Sequence, residues 1–243
     1  MNLTRMTLSR MALSRMALAR WSRNTRFSNS SVLLFCLLAV AITTTLTACG
    51  DKPELKPLGE DAVILAFGDS LTYGTGTSRD FAYPAILQQN ISRTVINAGV
   101  PGEITRQGLV RLPGLLQRHQ PDLVIICHGG NDILRKLDLG KARQNIQAMI
   151  DLAHQAGAQV MLVGVPEFGL FLDDADMYGE LAEANRLVIN DGTLGDILGK
   201  NTYKSDHIHP NKLGYQILAD SISELLRVSG ALPSDALPSG PIH

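Results

Sequence analysis

Short, largely apolar runs separated by stretches of helical period constrain this chain more than any other feature. They are Ala62–Phe67 (AVILAF), Thr94–Ala98 (TVINA), Asp122–Cys127 (DLVIIC) and Gln159–Val165 (QVMLVGV), with a shorter fifth candidate at Leu187–Asn190. A strand with one face in water alternates polar and apolar residues, whereas a strand covered on both faces reads as a continuous run. Between the runs, residues 81–90, 103–120, 141–157, 177–186 and 211–227 carry apolar side chains at helical spacing. Leu109, Leu112, Leu115 and Leu116 mark one such face, and Ile146, Met149, Ile150 and Ala153 another. Buried strands alternating with helices predict an α/β domain, a three-layer sandwich around a mostly parallel sheet. It spans residues 61–230. The Pro- and Ser-rich end, residues 231–243, reads as a disordered tail.

Charge is distributed unevenly. The 243 residues are 45% hydrophobic and 19% charged, with a formal net charge of −1. Residues 1–50 hold six Arg and no Asp or Glu, so all 23 acidic residues lie after Gly50. Binding to duplex nucleic acid requires clustered Lys and Arg that displace counterions from phosphates. The chain after Gly50 has no such cluster, so a nucleic-acid partner is not expected.

The first 48 residues read as an address. Val32–Ile42 is an apolar run of 11 residues after an Arg-rich segment, and small residues follow it. That order is the secretory signal pattern, and the run is too short for a membrane span of about 20 residues. Leu46-Thr47-Ala48-Cys49 resembles the bacterial lipobox, which implies cleavage before Cys49 and lipidation of its sulfur. An uncleaved anchor with an incidental Cys is the competing reading. Gly50 follows Cys49, with Asp51 one position later. By the same resemblance, the protein sits in a bacterial cell envelope facing the periplasm, at the outer membrane rather than the inner. Residues 49–60 (KPELKPLGE with its neighbours) read as a polar tether. The pentad repeat over residues 6–20 suits neither helix nor strand packing and is consistent with a later true start. Of Cys36, Cys49 and Cys127, only Cys127 would remain free, so no disulfide framework is expected within one mature chain.

In parallel α/β sheets, ligands bind beyond the carboxyl ends of the strands. Four segments fall there: Gly68-Asp69-Ser70-Leu71, Asn97-Ala-Gly99-Val-Pro-Gly102-Glu103, His128-Gly-Gly-Asn131-Asp132, and Ser205-Asp206-His207-Ile-His209-Pro210. Each has an ordinary reading as well. Ser70 could cap a helix, residues 129–132 could form a turn, Asp206 could cap the last helix, and His209 could be an exposed loop histidine. Together they supply a hydroxyl nucleophile, an imidazole base, a carboxylate to orient it, and amide donors for an oxyanion.

These four blocks in this order resemble the SGNH hydrolases, the GDSL family of serine esterases, over roughly residues 62–226. Arg106-Gln-Gly-Leu109, Arg111-Leu-Pro113 and Gln120-Pro121 also resemble its bacterial arylesterase/thioesterase/lysophospholipase branch. The resemblance implies a flavodoxin-like sheet and hydrolysis of carboxylic esters or thioesters. It implies Ser70 as nucleophile, His209 as general base and Asp206 as its orienting carboxylate. The oxyanion donors it implies are the Ser70 and Gly102 backbone N–H groups and the Asn131 side-chain amide. Gly99 competes with Gly102, and His207 with His209; the family register favours Gly102 and His209. The absence of a G-x-S-x-G elbow argues against the α/β-hydrolase pattern.

Asp69 and Asp132 are read as braces of their turns, Cys127 as a buried thiol, and His128, close enough to the rim to touch substrate, as structural in preference to that role. Leu71, Tyr73, Val100, Pro101, Ile104 and residues 166–171 are placed either to line an acyl pocket or to cover the sheet edge. No metal-ligand spacing or phosphate loop occurs, so neither metal nor cofactor is expected. The expected partner is a small acyl ester or lipid, and the expected state is a monomer. Within the enzyme class, the alternative is an acetyl esterase acting on cell-envelope carbohydrate. Outside it, the alternative is a non-catalytic acyl- or glycan-binding lipoprotein.

Overall fold

A computed structural model describes residues 52–167 and 172–233, and the chain from Pro53 onward forms one compact unit. The expectations for the signal segment, Cys49 and residues 168–171 lie outside the described residues. Five parallel strands form the sheet in the order β2-β1-β3-β4-β5. They are β1 (Val63–Gly68), β2 (Thr94–Gly99), β3 (Leu123–Cys127), β4 (Gln159–Val163) and β5 (Val188–Asn190). This is the flavodoxin-like order, whose switch point lies between β1 and β3. Ile64 to Phe67 and all of β3 are buried, as their unbroken apolar sequences require.

Two helical layers cover the sheet. On one side α2 (Tyr83–Ile91) packs against α8 (Lys212–Val228). On the other, α3 (Thr105–His119), α5 (Leu139–Gln155) and α6 (Asp176–Asn185) pack in series. The α/β sandwich is therefore as the alternating pattern predicts. Three short helices, α1 (Ser70–Tyr73), α4 (Gly130–Leu134) and α7 (Thr193–Leu198), fill turns that the sequence pattern does not resolve.

The folded unit extends beyond both expected boundaries. Leu55 and Leu58 are buried in the core, and their N–H groups donate to the Ser229 and Ala231 carbonyls at 2.8 Å. Gln159, the first residue of β4, exchanges side-chain hydrogen bonds with the Lys56 backbone. The second half of the expected tether is thus docked at the amino edge of the sheet. Ala231 and Leu232 are also buried, so the start of the expected tail belongs to the core. Apolar side chains three residues apart are enough to dock a segment whose other residues are polar.

Candidate active site

The carboxyl ends of β1 and β3, at the switch point, lead directly into the short helices that carry Ser70 and Asn131. Ser70 is the first residue of α1, and Asp69 caps that helix by accepting the Leu71 N–H at 3.1 Å. The cap is therefore Asp69 rather than Ser70, which leaves the Ser70 hydroxyl free for another partner. That partner is His209, whose Nε2 lies 3.1 Å from Ser70 Oγ although 139 residues separate them. Two contacts hold the loops together. Tyr215 of α8 donates its hydroxyl proton to the Thr75 carbonyl at 2.8 Å, and Gly76 packs against Ser205.

Asp206 organises the imidazole from behind. Its Oδ1 accepts the Ile208 and His209 N–H groups, each at 2.9 Å, and its Oδ2 lies 2.8 Å from His209 Nδ1. The three-residue spacing is thus a turn closed by the carboxylate itself. An ionised carboxylate accepts at both oxygens, so it holds Nδ1 as the protonated nitrogen and leaves the Nε2 lone pair toward Ser70. Partial burial pushes the Asp206 carboxyl up, but His209 and the two backbone donors outweigh this and hold it below its ordinary value. Asn211, not Asp206, caps α8, accepting the Leu213 and Gly214 N–H groups at 3.0 and 3.1 Å. His207 is exposed, and the Ser70 contact falls to His209.

The oxyanion candidates separate cleanly. The Gly99 N–H donates to Asn97 Oδ1 at 3.1 Å, and a Cβ there would lie 2.1 Å from the Tyr73 nitrogen. Gly99 is therefore spent on packing β2 against α1. Gly102 has φ +78, a left-handed conformation that glycine adopts without strain. Among the described residues, neither its N–H nor that of Ser70 has an acceptor. The Asn131 amide is held by the Glu103 carbonyl at 3.0 Å and, over a longer 3.3 Å, by Asp69 Oδ2.

The flanking residues are buried braces. Asp132 accepts both the N–H and the hydroxyl proton of Thr105 at 2.8 Å, fixing α4 to α3. Burial pushes the Asp69 carboxyl above its ordinary pKa, against the pull of His128, the Leu71 N–H, His209 and Asn131. Cys127 is fully buried, and burial drives its thiol well above the usual range. Leu71 is a core residue, 3% exposed, and does not line the cleft; α1 turns it inward. Tyr73 and Val100 are exposed at the rim, whereas Pro166 is buried.

One cluster has no precursor in the sequence reading. Glu103, Arg111 and His128 meet in the interior, with Glu103 Oε2 at 2.6 Å from Arg111 and 3.1 Å from His128. The only local signal is a charged pair, Glu103 and Arg111, in and beside an otherwise apolar helix face.

The profile of the GDSL-like lipase/acylhydrolase family matches residues 66–217. The chain belongs to this family. It is an ester-hydrolysing serine hydrolase. It is 32% identical over 174 residues to an arylesterase of Vibrio mimicus, covering 67% of this chain and 87% of that one. It is 30% identical to thioesterase 1/protease 1/lysophospholipase L1 of Escherichia coli (strain K12), over 68% of this chain and 83% of that one. Among solved structures it resembles the psychrotrophic esterase EstA from Pseudoalteromonas sp., inhibited by monoethylphosphonate. The TM-score is 0.62 at 26% identity, covering 69% of this chain and 98% of that one.

Proposed function

We propose that this esterase cleaves carboxylic esters and thioesters through an acyl-enzyme on Ser70 and works from a lipid anchor in the bacterial cell envelope. The observation that carries the chemistry is the continuous chain Ser70 Oγ, His209 Nε2, His209 Nδ1, Asp206 Oδ2, with separations of 3.1 and 2.8 Å. Ser70 Oγ attacks the acyl carbon while its proton passes to His209 Nε2. The carbonyl electron pair moves to oxygen, where the Ser70 and Gly102 N–H groups and the Asn131 amide receive it. On collapse, the bond to the alcohol or thiol breaks, and that group leaves with the proton from His209. Water, deprotonated by the same nitrogen, then splits the acyl-Ser70 ester into carboxylic acid and free hydroxyl.

Three features support this reading. The charge-neutral Asn131 amide stabilises a transient anion without trapping it. The relatives named above are called an arylesterase and a thioesterase/lysophospholipase, which fits small acyl esters and lipids as the substrate class. A phosphonate inhibitor in the Pseudoalteromonas structure fits an activated nucleophile. A fluorophosphonate probe should label the parent protein, and Ser70→Ala should abolish labelling; undiminished labelling of Ser70→Ala would refute the assignment. For the anchor, Cys49→Ser should move the protein from the membrane pellet to the soluble fraction and end palmitate incorporation. An unchanged distribution would remove the membrane from the proposal while leaving the chemistry intact.

A further inference from the structure

We infer that Glu103 is a positioning residue for the oxyanion pocket, and that Arg111 and His128 act on catalysis through it; this rests on the Ser70 mechanism proposed above. Glu103 follows Gly102 directly in sequence, so the conformation of one constrains the N–H direction of the other. Its own backbone carbonyl accepts from Asn131 Nδ2 at 3.0 Å. Its backbone N–H donates to the Val100 carbonyl at 3.2 Å, and the Val100 N–H donates in turn to the Gly68 carbonyl at 3.1 Å. One residue thus adjoins the Gly102 donor, holds the Asn131 donor and is linked through Val100 to the end of the strand that delivers Ser70.

The side chain makes this junction rigid. It is 7% exposed and turned inward, where Arg111 meets it with Nε at 2.9 Å and a terminal nitrogen at 2.6 Å. His128, fully buried, places Nε2 at 3.1 Å from the same carboxylate. Such a two-pronged guanidinium contact fixes direction as well as distance. The guanidinium also reaches the Gly68 carbonyl at 3.4 Å and lies 4.5 Å over the Phe67 ring. Gly108 lets α3 close on the cluster, since a Cβ there would lie 2.4 Å from His128 Nε2.

Charge matters as much as geometry. A bare carboxylate next to the oxyanion pocket would oppose the negative charge of the tetrahedral intermediate. Arg111 cancels it, so the loop is held by an ion without imposing a field of the wrong sign. Donors must lie about 2.7–3.1 Å from the developing oxyanion, and a misplacement of about 1 Å costs up to about 100-fold in rate.

The test is a double-mutant cycle of Glu103→Gln with Asn131→Ala, read by kcat and KM on p-nitrophenyl butyrate and by the rate of fluorophosphonate labelling. Glu103→Gln should lower kcat about 10- to 100-fold with KM within about threefold. In the Asn131→Ala background it should add less than about threefold, because a donor it positions is already gone. Arg111→Lys, which keeps the charge but loses the two-pronged contact, should repeat the pattern and serves if Glu103→Gln does not fold. Full multiplicativity, a loss confined to KM, or unchanged kcat in a folded variant would overturn the inference. Failure of the parent to label at Ser70 would instead overturn the underlying mechanism, so the two failures are distinct.

Discussion

Among the described residues, two carboxylate–imidazole pairs meet in this domain, and one of them also faces a serine hydroxyl. Asp206 and His209 meet at 2.8 Å with side chains 50% and 12% exposed; Glu103 and His128 meet at 3.1 Å with 7% and 0%. The contact itself is nearly the same. The third member differs. His209 turns its remaining nitrogen to the Ser70 hydroxyl, whereas the remaining nitrogen of His128, Nδ1, is buried without a partner among the described residues. On the carboxylate side, Asp206 is shared with backbone N–H groups that shape a turn, while Glu103 is claimed by a guanidinium. A histidine becomes a base when its lone pair faces a reacting group and substrate can arrive; a carboxylate neighbour alone makes it a brace.

That contrast breaks first at His209. Replacing it with Ala should lower kcat about 10⁴- to 10⁶-fold, since loss of the base in a serine triad costs nearly as much as loss of the whole triad. Asp206→Asn should cost less, about 10²- to 10⁴-fold, because the amide no longer enforces the tautomer but the base survives. Both are read as single-turnover acylation on p-nitrophenyl acetate. A smaller loss for His209→Ala than for Glu103→Gln would invert the assignment of the two pairs.

Most of the fold was legible because burial on both faces writes itself as unbroken apolar sequence. The runs at 62–67, 122–127 and 159–165 became β1, β3 and β4 with shifts of one or two residues. The short helices at Ser70, Gly130 and Thr193 span four to six residues, too few to display a helical period. The docked Leu55 and Leu58 were hidden by Lys, Pro and Glu neighbours, since two apolar side chains do not make a pattern. Ser70, Asp206 and His209 could be picked out because their chemistry restricts residue type. Gly102 could be preferred over Gly99 only from the family register; in the structure the Gly99 N–H is taken by Asn97. Glu103, Arg111 and His128 left no such trace. Their partners lie 8 and 25 residues away, and nothing local announces that an ionised side chain will turn inward beside an apolar helix.

The smallest expected effect sharpens the comparison through stability rather than rate. Burial pushes the Glu103 carboxyl up, but hydrogen bonds and charge from His128 and Arg111 outweigh it and bring the group from 4.5 down to about 2. A carboxylate whose folded value lies below its unfolded one stabilises the fold fully above the unfolded value. That contribution is lost as pH falls through the folded value. For Glu103 it is about 3 kcal/mol at neutral pH, fading from about pH 4.5 toward pH 2. Asp206 is lowered in the same direction, yet its half-exposed carboxylate is screened by water and contributes much less. Urea unfolding at pH 7, 5, 4 and 3 should therefore show the parent losing stability steeply over the last two steps. Glu103→Gln, weaker throughout because Arg111 loses its counter-charge, should have a visibly flatter slope there, and Asp206→Asn a slope close to the parent's. Parallel slopes for the parent and Glu103→Gln would mean that the interior carboxylate carries no folded-state advantage. The division between the buried pair and the pair that faces Ser70 would then rest on rate measurements alone.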